Sequence, residues 1–210
     1  MTAARCVILA AGPVDNPEAL RGLLREDDWF VAADGGLRLA QRLGIQPQAV
    51  VADFDSGTLS AQLQAEIHRL PVEKDWTDTM AAADLGLRRG FRRFLLLGGT
   101  GGRLDHTMAT LAVLRYLLGR DAQAMMADEH NRVQMIKPSA FTVEPMPGWK
   151  LSVFPYGGEV RGLSLQGLKY PLHDKTLTSE ECVGVSNEFL DCPARISFRE
   201  GTLLLFFSKD

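Results

Sequence analysis

Acids at the ends of short apolar runs are the residues in this chain best placed to do chemistry. Asp34 closes the run at 29–33 in Ala33-Asp34-Gly35-Gly36, and Asp53 and Asp55 close the run at 49–52 in Ala52-Asp53-Phe54-Asp55-Ser56. Residues i and i+2 of an extended segment face the same way, so Asp53 and Asp55 aim two carboxylates into one space. Carboxylates held close repel one another, and a hard cation relieves that repulsion. Taken singly, each aspartate could instead cap the next helix or shape a turn. Three together at strand ends favour a metal site, because open α/β sheets bind ligands outside the carboxyl ends of their strands.

Two further segments extend this chemistry. In Glu73-Lys74-Asp75-Trp76-Thr77-Asp78, Thr77 or Asp75 is a candidate helix cap, and Asp78 in the first turn suits the helix dipole. Asp78 could also complete a cation shell or accept a substrate's hydroxyl proton, and Lys74 could neutralise phosphate oxygens. The string Leu97-Gly98-Gly99-Thr100-Gly101-Gly102-Arg103-Leu104-Asp105-His106 follows another apolar run. So many glycines let backbone N–H groups approach phosphates closely, ahead of a helix N-terminus, and Arg103 adds a planar fork of donors. It is not a Walker loop, which needs a following Gly-Lys-Ser/Thr, nor a dinucleotide fingerprint, whose last glycine is here Leu104. A tight turn capped by Asp105 is the alternative. His106 reads as a packing or capping residue, since no second histidine stands at metal spacing.

These residues need strands and helices to hold them. Near-continuous apolar runs at 6–10, 29–33, 49–52, 94–97 and 122–127 read as strands covered on both faces. Helical patterns lie between them at 18–25, 36–43, 61–70 (capped by Ser60, with Leu63, Ile67 and Leu70 on one face), 78–89 and 105–118. In the last of these, Met108, Leu111, Ala112 and Leu118 would form the buried stripe. After about residue 131 the rhythm changes to short alternating runs at 132–136, 150–154, 196–198 and 202–207, punctuated by glycine and proline. The fold class is therefore α/β: a doubly wound, mainly parallel sheet over residues 1–130, followed by an all-β unit over 131–210.

Composition sets outer bounds. With 46% hydrophobic and 23% charged residues, this is an ordinary globular chain. A net charge of −3 offers no basic footprint for nucleic acid, so polyphosphate would need a metal to offset the negative balance. Cys6, Cys182 and Cys192 show no metal-ligand spacing and read as reduced, buried thiols. The first apolar run is too short to span a membrane. The expectation is a cytoplasmic protein without a membrane partner.

The ordered set Ala33-Asp34-Gly35-Gly36, Asp53-Phe54-Asp55-Ser56, Asp75-Trp76-Thr77-Asp78 and Gly101-Gly102-Arg103-Leu104-Asp105-His106 resembles thiamine pyrophosphokinase. Two late segments, Gly167-Leu168-Lys169-Tyr170-Pro171-Leu172 and Gly184-Val185-Ser186-Asn187-Glu188, resemble that family's C-terminal motifs. Any one motif is weak, but six in order are specific. The resemblance implies a C-terminal β-sandwich, a homodimer with active sites between subunits, and transfer of the β,γ-pyrophosphoryl group of ATP to the hydroxyethyl oxygen of thiamine, releasing AMP. It implies that Asp53, Asp55 and Asp78 bind Mg²⁺ or MgATP with Asp34 nearby. Gly101, Gly102, Arg103 and Asp105 would hold the nucleotide, and Tyr170, Ser186 and Asn187 would line the thiamine site.

Two positions depart from the family's pattern. Ala52 stands where glycine is usual, and Met80 stands where glutamate is frequent. If that glutamate orients the metal shell, Met80 weakens it; if it faces a helix neighbour, little follows. A pyrophosphokinase for another alcohol such as a pterin, an aspartyl-nucleophile phosphohydrolase, and a non-catalytic nucleotide- or thiamine-binding module are the competing readings. The phosphohydrolase fits least, because Gly57 replaces the expected Thr or Val and the acids follow the third strand.

Overall fold

A computed structural model describes residues 4–53, 64–71 and 75–210. The chain divides into two compact units, Met1–Glu129 and His130–Asp210. In the first, strands β1 (Cys6–Leu9), β2 (Trp29–Ala33), β3 (Ala49–Ala52), β4 (Glu66–Arg69), β5 (Arg93–Leu97) and β6 (Gln123–Ala127) alternate with helices α1 (Gly36–Leu43), α2 (Asp78–Arg88) and α3 (Leu104–Leu118). The strands run in the order β6-β5-β1-β2-β3-β4, and each neighbouring pair is parallel.

Every residue of β1 is fully buried, as are Leu95, Leu96 and Leu97, which is why these runs lack alternation. Val7, Leu9, Leu95 and Leu97 pack with Leu39, Ala40 and Leu43 of α1 and with Leu20 of a 3₁₀ turn at Pro17–Leu23. The opposite face meets α2: a Cβ on Gly86 would stand 2.6 Å from Phe94 and 2.9 Å from Cys6. Helices thus cover both faces, and the sheet is doubly wound. Because β1 lies between β2 and β5, the chain reverses its direction of travel across the sheet there. Such a switch point opens a crevice between diverging loops.

The segment around Ile67 corrects the expected helix at 61–70. Glu66–Arg69 is an edge strand, with Ile67 41% exposed; residues 61–63 and the proposed cap Ser60 lie outside the described residues. Leu70 precedes Pro71, which disfavours the helical region at Leu70, and carbonyls along β3 and just ahead of it accept from this segment, Glu66 N donating to Gln48 O at 2.9 Å and Leu70 N to Ala52 O at 3.0 Å. The pattern at 18–25 is likewise realised as a 3₁₀ turn. In α3 the buried stripe is Thr110, Leu111, Val113, Leu114 and Leu117, whereas Met108 is exposed. Cys6 is buried, and burial raises the pKa of its thiol, but Cys182 and Cys192 are exposed.

The second unit is antiparallel. It comprises β7 (Asn131–Ile136), β8 (Ala140–Val143), β9 (Lys150–Pro155), β10 (Val160–Gln166), β11 (Leu172–Leu177), β12 (Asn187–Glu188), β13 (Ala194–Ser197) and β14 (Leu203–Ser208). Strands in the order β12-β9-β14-β7 face a sheet in the order β11-β10-β13-β8. Between them Leu151, Val153, Leu203 and Leu205 interdigitate with Val160, Leu163, Leu165 and Ile196 in one sandwich core.

Candidate active site

A cleft of about 390 Å³ opens in the first unit at the β1/β5 switch point. Its walls are the turns after β1 (Ala10 to Pro13), β2 (Ala33, Asp34) and β5 (Gly98 to Gly101), together with the first residues of α2 and α3. Close backbone packing shapes it. Gly12 N donates to Gly98 O at 2.8 Å, and a Cβ on Gly12 would lie 2.4 Å from that carbonyl oxygen. Gly98, Gly101 and Gly102 adopt φ of 71°, 76° and 62°, a region glycine occupies without steric cost.

Both helices present N-termini here. Thr77 caps α2, its hydroxyl accepting from Met80 N at 3.2 Å, and Asp78 sits in the first turn on the cleft wall. Arg103 occupies the cap position of α3 without a side-chain cap bond. It instead grips Asp105, with Nε donating to one carboxylate oxygen at 3.1 Å and a terminal nitrogen to the other at 2.5 Å. That pair of bonds holds the Asp105 carboxyl below its ordinary range and raises Arg103 in turn. The fork's remaining N–H groups are directed elsewhere, as a phosphate contact requires. Asp34 adopts φ 47° at the strand end, and its N–H donates to Val51 O at 2.9 Å.

Asp34, Asp78, Gly101 and Arg103 therefore meet in one cleft, with Gly102 on the adjoining turn and Asp105 in the first turn of α3. Asp53 follows β3 directly, half-buried, outside the cleft wall. Asp55 and Lys74 lie outside the described residues. Tyr170, Ser186 and Asn187 belong to the second unit. There Asn187, 1% exposed, accepts from Tyr170 N at 2.9 Å and Glu188 N at 3.0 Å and donates to Tyr170 O at 2.7 Å. Ser186 has φ 55° and its N–H donates to Ser152 Oγ at 2.9 Å. Tyr170 is 57% exposed, with Lys169 Nζ 5.5 Å from its ring centroid.

Sequence reasoning gave no ligand role to the Gly12-Pro13 turn just past the apolar run at 6–10, and this turn is a cleft wall. It also set aside His106, which is exposed on the cleft wall. The rule that strand ends carry ligands would have reached the first of these. Position 80 is also clarified. Met80 is the third residue after the Thr77 cap, where a glutamate would bond back to the cap's N–H and close a capping box.

The match to known families follows the division into units. Residues 20–126 match the family model described as thiamin pyrophosphokinase, catalytic domain, and 141–203 match that of the thiamin pyrophosphokinase vitamin B1 binding domain. The chain belongs to the thiamin pyrophosphokinase family. A thiamine pyrophosphokinase of Bacillus subtilis is 29% identical over 209 residues, covering 97% of this chain and 98% of the relative. A solved Bacillus subtilis thiamine pyrophosphokinase superimposes with a TM-score of 0.90 at 27% identity, covering 99% of this chain and all of the other. A yeast thiamin pyrophosphokinase shares the fold at 18% identity and a TM-score of 0.79, covering 98% of this chain and 86% of the other. The catalytic-domain match holds the cleft residues from Ala33 to Thr110 but begins after the Ala10–Pro13 wall, and the vitamin B1 match holds Tyr170, Ser186 and Asn187. Among the described residues, no helix is long and apolar enough to cross a membrane.

Proposed function

We infer that this chain is a thiamine diphosphokinase: it transfers the pyrophosphoryl group of ATP to thiamine, giving thiamine diphosphate and AMP. The observation that carries this reading is the family match across both units, together with a cleft whose chemistry suits a polyphosphate. The thiamine hydroxyl oxygen forms a bond to the β-phosphorus, the bond from that phosphorus to the α,β-bridging oxygen breaks, and the hydroxyl proton leaves to a base. Reactions of this kind depend on alignment and charge stabilisation rather than covalent catalysis. The glycine turn supplies N–H groups, the N-termini of α2 and α3 supply favourable dipoles, and Arg103 supplies a cation beside the phosphates.

The donor set also fits Mg²⁺. Among the described residues no three acids cluster as a closed cage, but Mg²⁺ is commonly held by one or two carboxylates plus substrate phosphates and waters. Asp34 and Asp78 on the cleft wall are hard oxygen donors, and Asp53 and Asp55 complete the proposed set. A bound Mg²⁺ would supply neutralisation of charge on the phosphoryl oxygens. In the second unit, the exposed ring of Tyr170 offers a face to the thiazolium cation, and Ser186 and Asn187 hold the adjoining backbone. A homodimer is the proposed assembly, on the family resemblance.

³¹P NMR of the protein with thiamine and MgATP tests the reading. Thiamine diphosphate and AMP are expected in equal amounts. ADP as the sole nucleotide product would overturn it, and AMP release with a pterin alcohol but not thiamine would replace the acceptor.

A further inference from the structure

Two carboxylates just beyond β6 reach the loops of the cleft without lining it. Thr100 Oγ1 donates to Asp128 Oδ2 at 2.6 Å in a partly buried bond, and Asn16 N donates to Glu129 Oε1 at 2.6 Å. Thr100 is the one residue with a side chain in the run 98–102, and it lines the cleft. Asn16 lies three residues past Pro13, at the start of the 3₁₀ turn.

A turn of four glycines loses more backbone entropy on ordering than any other composition. Its position must therefore come from anchors outside itself. Gly12 N fixes Gly98 O at one end, and Asp128 fixes Thr100 in the middle. The Thr100 bond has a second consequence. A threonine hydroxyl has one proton, and here it goes to a carboxylate at the short distance of a charge-assisted bond. What remains on Thr100 Oγ1 for the cleft is lone pairs, which repel phosphate oxygens.

We propose that Asp128 is a positioning residue for the phosphate-binding turn. By accepting the hydrogen bond of the Thr100 hydroxyl it sets the height of residues 98–102, so that phosphate is met by their backbone N–H groups and by Arg103 and not by the Thr100 hydroxyl. Glu129 does the same, more weakly, for the loop after β1. The proposal rests on reading the cleft as the ATP site.

Steady-state kinetics on Asp128→Ala, Thr100→Val and the double variant provide the test. Each single change is expected to raise KM for MgATP by about tenfold, the scale of one lost hydrogen bond to a charged group, with KM for thiamine unchanged. The double variant is expected to be no worse than Asp128→Ala alone, because Thr100→Val removes a bond that Asp128→Ala has already removed. Asp128→Asn and Thr100→Ser keep an acceptor and a donor and are expected to retain most of the wild-type KM. Multiplicative effects, or a Thr100→Val enzyme with wild-type KM, would overturn the proposal. Should Asp128→Ala fail to fold, Thr100→Val set against Thr100→Ser carries the comparison. Calorimetry of the unaltered protein with MgATP separates the two levels. No binding there defeats the ATP site itself, whereas binding with unaffected variants defeats only the role of Asp128.

Discussion

At the scale of single residues, Arg103 must do two things at once. Its fork holds Asp105 through two bonds, which leaves three N–H groups for a phosphate. A lysine has one ammonium on a flexible stem and cannot keep both contacts. Arg103→Lys is therefore expected to raise KM for MgATP by about tenfold or more, and Asp105→Asn by less, since the amide still offers one acceptor. Wild-type KM in Arg103→Lys would remove Arg103 from phosphate binding. Asn187 shows the opposite economy. Its amide is buried and spent on the backbone of Tyr170 and Glu188. Asn187→Ala strands those groups and is expected to cost about 3 kcal/mol, read as a shift of the urea midpoint. A stable variant that merely fails to bind thiamine would make Asn187 a direct contact instead. The placing of Asp34, Asp78, Gly101 and Arg103 on one cleft wall was legible because open α/β sheets gather their loops at the carboxyl ends of the strands. The Thr100–Asp128 bond was not, because 28 residues and a whole helix separate its partners.

At the scale of elements, the two-residue strand β12 depends on side chains more than on its ladder. Glu188 pairs with Lys150 at 3.1 Å and Lys169 at 3.2 Å. The bond from Lys150, then that from Lys169, draws the Glu188 carboxyl below its ordinary 4.5. A carboxyl whose folded pKa is lowered adds stability that is fully present above its unfolded value and disappears as pH falls through the folded one. The difference in thermal midpoint between the wild type and Glu188→Gln should thus be constant from neutral pH down to about 4.5 and close below it. All three groups are exposed, so high salt should shrink the difference. A gap that persists in acid would mean that β12 is held by something else. The same element shows what sequence does and does not carry. β1, β2, β3 and β5 were readable because a strand buried on both faces is apolar nearly throughout, and β6 from Ala124 to Ala127, although Gln123 at its start is exposed. β4 has an exposed, charged edge, and β11 spells Leu-His-Asp-Lys-Thr-Leu with one fully buried residue. β10 is bent by Gly162 at φ 72° and by register shifts. Each of these is made a strand by its neighbour's backbone, which local pattern does not record.

At the scale of the whole molecule, each unit closes its own core, and the first is locked by a buried ion pair at the start of its sheet. Arg5, just ahead of β1, holds Asp28, just ahead of β2, through bonds of 2.9 and 2.7 Å, and reaches Leu23 O at 2.6 Å. The Asp28 side chain is wholly buried and also accepts from Arg25 N at 2.9 Å. One contact set thus ties the 3₁₀ turn to the two strands that bound the cleft's first wall. Removing one member of a buried pair leaves the other charged and uncompensated, at a cost of about 3–5 kcal/mol, whereas replacing both with apolar residues is often close to neutral. Arg5→Ala is expected to lose stability on that scale, and Arg5→Met with Asp28→Leu to regain much of it, short of the bond to Arg25 N. Trp29 is the natural reporter, since it follows Asp28 and stacks on Phe91 at 5.4 Å; with Trp76→Phe and Trp149→Phe it becomes the sole tryptophan. Trp149, flanked by Arg132 and Lys209, reports the second unit in the converse variant. If the paired apolar replacement is as damaging as Arg5→Ala, the loss does not come from an uncompensated Asp28. The bonds to Leu23 O and Arg25 N, which hold the 3₁₀ turn, would then be what the first unit needs from this pair.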